Sequence, residues 1–425
     1  MSQALIDQAR KVMDGNDRGS YTVPTHGLYP FQWNWDSALS ALGFSHYDID
    51  RAWVEIETLM AHQWADGMVP HIIFHEPDDG YFPGPDVWGT NRVVPTTGIT
   101  QPAVAGFALR KIFDRSEDKV LARRRLANLL PKIHAWHKWF YKHRDPEASG
   151  LVAIIHPWES GRDNSVDWDE ALEGVPMEGV ASFTRRDTTH ANPDHRPTDE
   201  QYRRYIWLVQ TFRRLGWDNA KLHDASPFRL VDPGFNAILI RSCDDVAELA
   251  ELIGDPDMAL EARAMAAKGR AAMESLWNPK LGQYTCYNRA AGILQDTPTV
   301  GGILAAFAQV PTARAEALVA RINLLSQRCV YLVPSHDPAD SSFDSRRYWR
   351  GPSWLIVNYM IADGLILAGQ EAMAQRLLAD SMRLIEKSGF AEYYDPISGE
   401  PCGGGDFTWT AAMVIEILKV QKVPA

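Results

Sequence analysis

FNAILIRSCDDVAELAELIG (residues 235–254) and PDMALEARAMAAKGRAAMESLW (256–277) follow one another with a single residue between them. In both stretches apolar residues recur three and four positions apart, which is the period of an amphipathic helix. The spacing therefore predicts two consecutive helices, and these two stretches set the pattern for the rest of the chain.

The same period recurs along most of the sequence. It predicts long helices over 49–63, 121–143, 200–216, 313–327, 354–369, 370–389 and 409–421, and shorter ones near 3–13, 35–44 and 101–113. Alternating patterns typical of strands are short and lie between helices, as in LVAIIHP (151–157). This is not the strand–helix alternation of a parallel sheet, so the predicted fold class is all-α.

Three turns that follow predicted helices resemble one another: RDPEASGLV (144–152), WNPKLGQYT (277–285) and YDPISGEP (394–401). In each, Asp-Pro or Asn-Pro ends the helix and a glycine supplies a turn conformation. The likeness is either coincidence or the mark of a closed ring of helical hairpins.

No Pro/Gly/Ser-rich linker divides the chain, so we expect one domain over 1–425. The long polar segment around 177–202 is expected to be an active-site loop or lid.

Composition excludes several classes of protein. The 425 residues include 43 Lys plus Arg and 54 Asp plus Glu, for a net charge of −11, which argues against nucleic acid or an anionic membrane as partner. No apolar run is long enough to span a bilayer, and the four cysteines are far apart, as expected of reduced thiols in a cytoplasmic protein. The basic run 123–125 is expected to be a solvated helix face or a contact within a homo-oligomer.

Tryptophan is unusually frequent, with 15 residues against 15 Phe and 14 Tyr. Eight of them lie in loop-like segments rich in Gly, Pro and acidic residues, at 33, 35, 88, 158, 168, 349, 354 and 409. Trp53, Trp136, Trp207 and Trp277 instead fall on apolar helix faces. Aromatic rings beside carboxylates, amides and Arg are typical of a carbohydrate site, because rings cover the C–H faces of a sugar and polar groups bind its hydroxyls. The alternative is that these indoles seal the ends of hairpins.

Two acidic residues stand in such aromatic surroundings. Asp163 lies in WESGRDNS, and Glu392 lies in GFAEYYDPISG. Hydrolysis of a glycoside needs two carboxyl groups, one kept protonated by an apolar pocket and one ionised. The alternative for either residue is a solvated surface charge.

The segments ESGRDNS (159–165), YWRGPSW (348–354), EYYDPISGE (392–400) and QWNWDS (32–37) resemble the signature segments of glycoside hydrolase family 63 and of trehalase. The order and spacing agree from about residue 20 to 420. The resemblance implies an (α/α)6 barrel and cleavage of α-linked sugars with inversion. It also implies that Asp163 is the general acid and Glu392 the general base.

Within that family the chain is most similar to the compact bacterial glucosylglycerate and mannosylglycerate hydrolases. Their sugar pocket is matched by Tyr29, Trp33, Trp35, Asp36, Trp158, Gly161, Tyr348, Trp349 and Trp354. Their glycerate-recognising groups are matched by Tyr81, Gln101, Arg196 and Tyr202. A guanidinium can clamp a carboxylate through two parallel hydrogen bonds, so an anionic aglycone gives Arg196 a purpose that a neutral sugar does not. The alternative for Arg196 is a loop ion pair with Asp194 or Asp199.

The predicted substrate is thus glucosylglycerate, mannosylglycerate or both, a small molecule, and neither a metal nor a cofactor is expected. Because the whole protein is acidic, we expect a local positive exception at Arg196, with Arg162 and Arg350 nearby. His71 and His75 have zinc-like spacing, but Pro70 and the missing HExxH order favour structural histidines. The GGG run (403–405) lacks the Lys-Ser/Thr of a phosphate loop.

Three other functions stay open at this point. The first is an α-glucosidase for neutral α-glucosides or oligosaccharides. The second is a sugar epimerase or isomerase on the same barrel, although such enzymes rely on facing histidines. The third is a sugar-binding protein that has lost catalysis, against which stands the presence of both carboxyl groups.

Overall fold

A computed structural model describes residues 2–187 and 192–420. The α-helices are α1 (Ser2–Asn16), α2 (Asn34–Phe44), α3 (Ile49–Ala61), α4 (Pro85–Trp88), α5 (Ala105–Arg115), α6 (Lys119–Arg144), α7 (Asp169–Glu173), α8 (Asp199–Arg214), α9 (Asn219–Ala225), α10 (Pro233–Ile253), α11 (Pro256–Met273), α12 (Val300–Leu304), α13 (Thr312–Leu325), α14 (Leu355–Leu367), α15 (Glu371–Ser388) and α16 (Thr408–Val420). Every helix predicted from the hydrophobic period is present within a few residues. The all-α prediction is confirmed. Of the segment predicted to be a loop or lid, residues 188–191 lie outside the described residues.

The helices form two concentric rings. The inner ring runs α2, α5, α10, α12 with the short 3-10 turn Ala305–Ala308, α14 and α16, and neighbouring members contact one another until α16 closes on α2. Outer helices alternate with them in the chain: α1, α3, α6, α11, α13 and α15. The inner helix α2 is buried along its whole length. This alternation around a closed ring is the (α/α)6 barrel that the resemblance implied.

One barrel helix escaped sequence reasoning, and one predicted helix lies outside the barrel. The inner segment 300–308 was not predicted because it is short, apolar on all sides and contains Gly301 and Gly302, so it carries no amphipathic period. Helix α8 has the expected period, but it packs beside α4 and α9 rather than in either ring. The segment 151–157 forms only a single bridge, from Ile154 to Leu230, and not the expected strand.

The three similar turns have the same geometry. Each follows an outer helix or its 3-10 extension, and each begins with an Asp or Asn whose side-chain oxygen accepts backbone N–H groups further along the turn. Asp145 accepts from Ser149, Asn278 from Lys280, and Asp395 from Ile397. A left-handed glycine follows in each, with φ of 93°, 66° and 75° at 150, 282 and 399. The turns return the chain from the outer to the inner ring, which favours the closed-ring interpretation over coincidence.

Short antiparallel ladders lie beside the start of the inner helices. They are β1 (Gln32–Trp33) with β2 (Ile72–Ile73), β3 (Leu230–Val231) with β6 (Tyr287–Asn288) and then β7 (Ile293–Leu294), β4 (Trp277–Asn278) with β5 (Gln283–Tyr284), and β8 (Tyr393–Tyr394) with β9 (Pro401–Cys402). β1 leads directly into α2, and β8 and β9 precede α16. The ladders fix the loops at the N-terminal end of the inner ring. None of the described helices has the length and hydropathy needed to cross a membrane.

Candidate active site

The motif residues converge on two adjoining compartments at the N-terminal end of the inner helices. The inner compartment is lined by Pro24, Tyr29, Trp33, Trp35, Asp36, His71, Gln101, Gly161, Asp163, Tyr348, Glu392, Phe407 and Trp409. The outer compartment is lined by Leu28, Tyr29, Trp33, His71, Gly80, Tyr81, Phe82, Trp158, Asp163, Arg186, Asp187, Arg196, Pro197, Tyr202 and Tyr348. Asp163 lies at their junction with the rings of Tyr29, Trp33, His71 and Tyr348. Glu392 lines only the inner compartment.

Aromatic rings wall the inner compartment. Trp35 packs edge-on against Trp409 with 5.6 Å between ring centroids, and Trp33 packs edge-on against Tyr29 at 5.3 Å. Trp33 and Trp35 flank the start of α2, and Trp409 is in the first turn of α16, so helices of the inner ring hold all three. Such walls suit the apolar face of a sugar ring, whose hydroxyls need the polar groups between them.

Three carboxyl groups face the inner compartment: Asp36 and Glu392 are buried, and Asp163 is half-buried. Burial disfavours their charged forms and raises the pKa of each. The pKa of Asp163 rises to about 7, first through burial and then through the charge of Glu392, while the Arg196 guanidinium opposes the rise. A carboxyl group with that pKa can hold a proton near neutral pH.

Glu392 is surrounded by donors that stabilise its anion. The Tyr29 hydroxyl donates to Oε1 at 3.2 Å, and the Gly404 backbone N–H donates to Oε2 at 3.0 Å. Burial still raises the pKa of Glu392, but these hydrogen bonds and the Arg196 charge counter it. The two catalytic candidates therefore differ: Asp163 can hold a proton near neutral pH, whereas Glu392 accepts hydrogen bonds from Tyr29 and Gly404.

The GGG run has a function that sequence reasoning missed. A Cβ on Gly403 would lie 2.2 Å from Oε2 of Glu392, and Gly403 has a φ of +74°. Only a glycine lets the backbone approach the carboxylate this closely and then present the Gly404 N–H to it. The backbone of the run thus packs against the Glu392 carboxylate and holds it through a hydrogen bond.

Gly161 brings the loop of Asp163 against the sugar wall. Its φ is +70°, and a Cβ there would lie 2.7 Å from the Trp35 ring. The next residue but one is Asp163, so the same loop supplies the acid. Arg162 points away from both compartments and is paired with Asp167 and Asp232 at 3.2 and 2.9 Å.

The prediction that Arg162 and Arg350 add positive charge at the site is wrong. Arg162 is neutralised by two buried aspartates, and Arg350 pairs with Asp169 and lines neither compartment. Arg186 and Arg196 are the arginines among the described lining residues of the outer compartment. The N-terminal ends of the inner helices, which carry partial positive charge, meet at the same place.

Arg196 is fixed from several directions. Its Nε donates to Oδ2 of Asp187 at 3.2 Å, and its Nη1 donates to the Tyr29 hydroxyl at 3.1 Å. Its guanidinium lies over the Tyr348 ring, 4.4 Å from the centroid. The ion-pair partner is therefore Asp187, not Asp194 or Asp199 as the alternative interpretation had it, and Arg196 still lines the outer compartment.

Some predicted contacts fall in a different place. Gln101, expected to recognise glycerate, lines the inner compartment because its Oε1 accepts the Trp35 backbone N–H at 3.2 Å. Trp158, expected in the sugar pocket, lines the outer one. Trp349 and Trp354 line neither, because they stack on each other at 3.8 Å and are buried behind the wall. Tyr81, Arg196 and Tyr202, the other residues expected to recognise glycerate, line the outer compartment together.

The indoles divide between wall and support. Of the eight loop-like tryptophans, Trp33, Trp35, Trp158 and Trp409 line the compartments. The other four, at 88, 168, 349 and 354, are fully buried and seal the loops. Both interpretations of the tryptophan excess thus hold, each for half of the set.

His71 was missed as a site residue. It lines both compartments, its ring stacks on Trp158 at 6.4 Å, and its Nδ1 has no partner among the described residues. Burial lowers its pKa well below the ordinary range, so the ring is neutral. His75 lies apart, bonded to Gln32. The described ranges bring no three His, Cys, Asp or Glu side chains together as a metal site.

Comparison with known proteins agrees with this geometry. A family model described as the mannosylglycerate hydrolase MGH1-like glycoside hydrolase domain matches residues 29–410. Mannosylglycerate hydrolase MGH1 of Selaginella moellendorffii is 44% identical over 98% of this chain and 86% of its own length. Glucosylglycerate hydrolase of Mycolicibacterium hassiacum is 32% identical over 97% of each.

Solved structures give the same result. Crystal structures of the GH63 mannosylglycerate hydrolase from Thermus thermophilus, one in complex with Tris and D-glycerate and one with glucose, superpose with TM-scores of 0.95 and 0.91. Both are 44% identical and cover 98% of this chain and 100% of their own. The chain therefore belongs to the MGH1-like family of glycoside hydrolases, within glycoside hydrolase family 63.

Proposed function

We propose that this protein hydrolyses mannosylglycerate, glucosylglycerate or both to the free sugar and glycerate, with inversion at the anomeric carbon. The observation that carries the proposal is the pairing of an aromatic pocket holding Asp163 and Glu392 with an adjoining compartment that presents Arg196. Two relatives support it: one described as a mannosylglycerate hydrolase, at 44% identity, and one described as a glucosylglycerate hydrolase, at 32%.

The sugar occupies the inner compartment and the glycerate the outer one. The glycosidic oxygen then lies at their junction, where Asp163 reaches it. Asp163 gives its proton to that oxygen as the bond to the anomeric carbon breaks. A water molecule attacks the opposite face of the carbon, and Glu392 takes the proton of that water. Glycerate leaves as an alcohol, and the sugar is released with inverted configuration.

Arg196 gives the reaction its preference for an anionic aglycone. The outer compartment contains no lysine among its described lining residues, so the glycerate carboxylate is bound by guanidinium groups. A planar guanidinium matches a carboxylate better than an ammonium does. A neutral α-glucoside would fill the inner compartment but leave this charge unused.

Variants at the two carboxyl groups test the proposal. Asp163→Ala and Glu392→Ala should each lower the release of glycerate from both glycosyl-glycerates by a factor of about 10³ or more, because each removes a proton-transfer group. Retention of more than about a tenth of the activity by either variant would contradict the assignment. Interconversion of free sugars that survives both substitutions would point to an epimerase instead.

We also infer a cytoplasmic location. All four cysteines are unpaired and buried. Thiols of this kind persist in reducing compartments, whereas secreted proteins more often pair them.

A further inference from the structure

Asp187 places a carboxylate on the wall of the compartment that is proposed to receive an anionic aglycone. Its side chain is 11% exposed, so solvent screens it poorly. By charge alone Asp187 should repel a glycerate carboxylate and compete with it for Arg196. Asp187 should therefore contribute something to binding that outweighs this repulsion.

The contacts of Arg196 indicate that this contribution is to hold its guanidinium in place. Oδ2 of Asp187 accepts from Nε, the Tyr29 hydroxyl accepts from Nη1, and the Tyr348 ring supports the guanidinium plane. An arginine side chain has several rotatable bonds, and ordering it costs free energy that a preformed site avoids. Asp187 and Tyr29 hold two of the three nitrogens, so among the described contacts Nη2 is the nitrogen left for a ligand.

Arg185 removes the electrostatic cost of this arrangement. Its Nε and Nη2 donate to Oδ1 and Oδ2 of Asp187 at 3.1 and 2.7 Å. Its guanidinium lies over the Tyr202 ring at 4.5 Å, and its Nη1 donates to Asp199 at 2.9 Å. Burial opposes ionisation of Asp187, but the bonds from Arg185 and the charges of both arginines lower its pKa. The Arg185–Asp187–Arg196 set carries one net positive charge.

We propose that Asp187 is a positioning residue for substrate specificity, which aims the Arg196 guanidinium at the carboxylate of the aglycone. Arg185 offsets the repulsion between Asp187 and that carboxylate. The inference rests on the proposed function and adds to it the device that sets the preference for a charged aglycone. Tyr202 then has two functions, as part of the wall and as the support of Arg185.

Asp187→Asn separates positioning from simple charge, because the two predict opposite results. Loss of a negative charge alone should strengthen binding of an anionic substrate. Loss of positioning should weaken it, because the asparagine no longer offers two carboxylate oxygens to two arginines. Asp199→Asn is the matched control: it removes the same charge from another partner of Arg185, at a residue whose side chain is 93% exposed and outside both compartments.

The assay compares kcat/KM for a glycosyl-glycerate with kcat/KM for its carboxamide derivative, which differs only in charge. In Asp187→Asn the acid-to-amide ratio should fall by about 10-fold or more, mainly through KM for the acid, as expected for a lost charge-assisted bond. In Asp199→Asn the ratio should stay within about 3-fold of the wild type.

Several results would overturn the inference. A ratio that rises in Asp187→Asn would show that the carboxylate only repels the substrate. Equal losses on acid and amide would show a purely structural residue. A wild-type enzyme that cleaves acid and amide equally well would leave the hydrolase function standing but remove charge selection. Failure of the wild type on both glycosyl-glycerates would instead contradict the proposed function.

Discussion

The hydroxyl of Tyr29 donates to Oε1 of Glu392 at 3.2 Å while accepting from Nη1 of Arg196 at 3.1 Å. One phenol thus connects the carboxylate proposed as base with the guanidinium proposed to bind the aglycone. The hydrogen bond favours the charged form of Glu392, because a donor stabilises the anion and not the neutral acid.

Tyr29→Phe should therefore raise the pKa of Glu392. The acidic limb of the kcat profile should move to higher pH, since a base must be ionised to accept a proton. At pH below that limb we expect a loss of about 5-fold in kcat, for about one kcal/mol of lost stabilisation. An acidic limb at the wild-type position would show that Tyr29 does not support the base.

The alkaline limb of the wild-type profile should belong to Asp163. Its pKa is raised to about 7, and a general acid works only while protonated. The rate should fall as pH rises through about 7, and the profile of kcat/KM for either glycosyl-glycerate should be bell-shaped. A value of kcat/KM that stays constant up to pH 9 would contradict the assignment of Asp163 as the general acid.

Asp163→Asn should make the protein more stable while it inactivates it. The pKa of Asp163 is about 7 in the fold against an ordinary value of 3.8, so the folded state binds the proton more tightly than the unfolded state. Stability is therefore lost as pH rises from about 4 to 7, by up to about 4 kcal/mol. The variant lacks this loss, and its Tm should exceed that of the wild type at pH 8 but not at pH 4.

Glu416 serves as a control because its pKa is shifted in the opposite direction, so its effect on stability has the opposite dependence on pH. It is buried, but hydrogen bonds from His46 and the charge of Arg115 lower its pKa to about 2. Its contribution is present above about pH 4.5 and lost toward pH 2, so Glu416→Gln should lower Tm at pH 8. Equal shifts of Tm in Glu416→Gln and Asp163→Asn would contradict this electrostatic account of both residues.

Gly403→Ala should damage catalysis through Glu392. A methyl group would lie 2.2 Å from Oε2 at a φ of +74°, so the carboxylate must move. We expect a fall in kcat of about 10- to 100-fold, because displacement of a catalytic group by about 1 Å has effects of that size. Gly405→Ala is the matched control: its Cβ would meet open space, and its activity should match the wild type.

The fold could be predicted from sequence to the extent that helices show a polar face. The outer helices and most inner ones have enough alternation for the 3.6-residue period to be visible. The segment 300–308 is surrounded by protein on all sides, so burial removes the contrast on which the period depends. Closure of the ring came from the family resemblance, and the repeated Asp-Pro turns only indicated it.

The site was predictable where a motif fixes both residue and position. Asp163 and Glu392 both line the inner compartment, and Arg196 lines the outer one. Partners across the chain were not predictable: nothing in the sequence singles out Asp187, rather than Asp194 or Asp199, as the partner of Arg196. The contacts of Gly404 and His71 depend likewise on loops that meet only in the folded chain.

The most direct test of the account is a product analysis of the purified protein on α-mannosylglycerate, α-glucosylglycerate and the corresponding methyl α-glycosides, with the first anomer formed followed by proton NMR. We expect kcat/KM to be at least about 10-fold higher for the glycosyl-glycerates, because only they engage Arg196, and we expect the β-anomer to be released first. Faster cleavage of the neutral glycosides, or first appearance of the α-anomer, would contradict it.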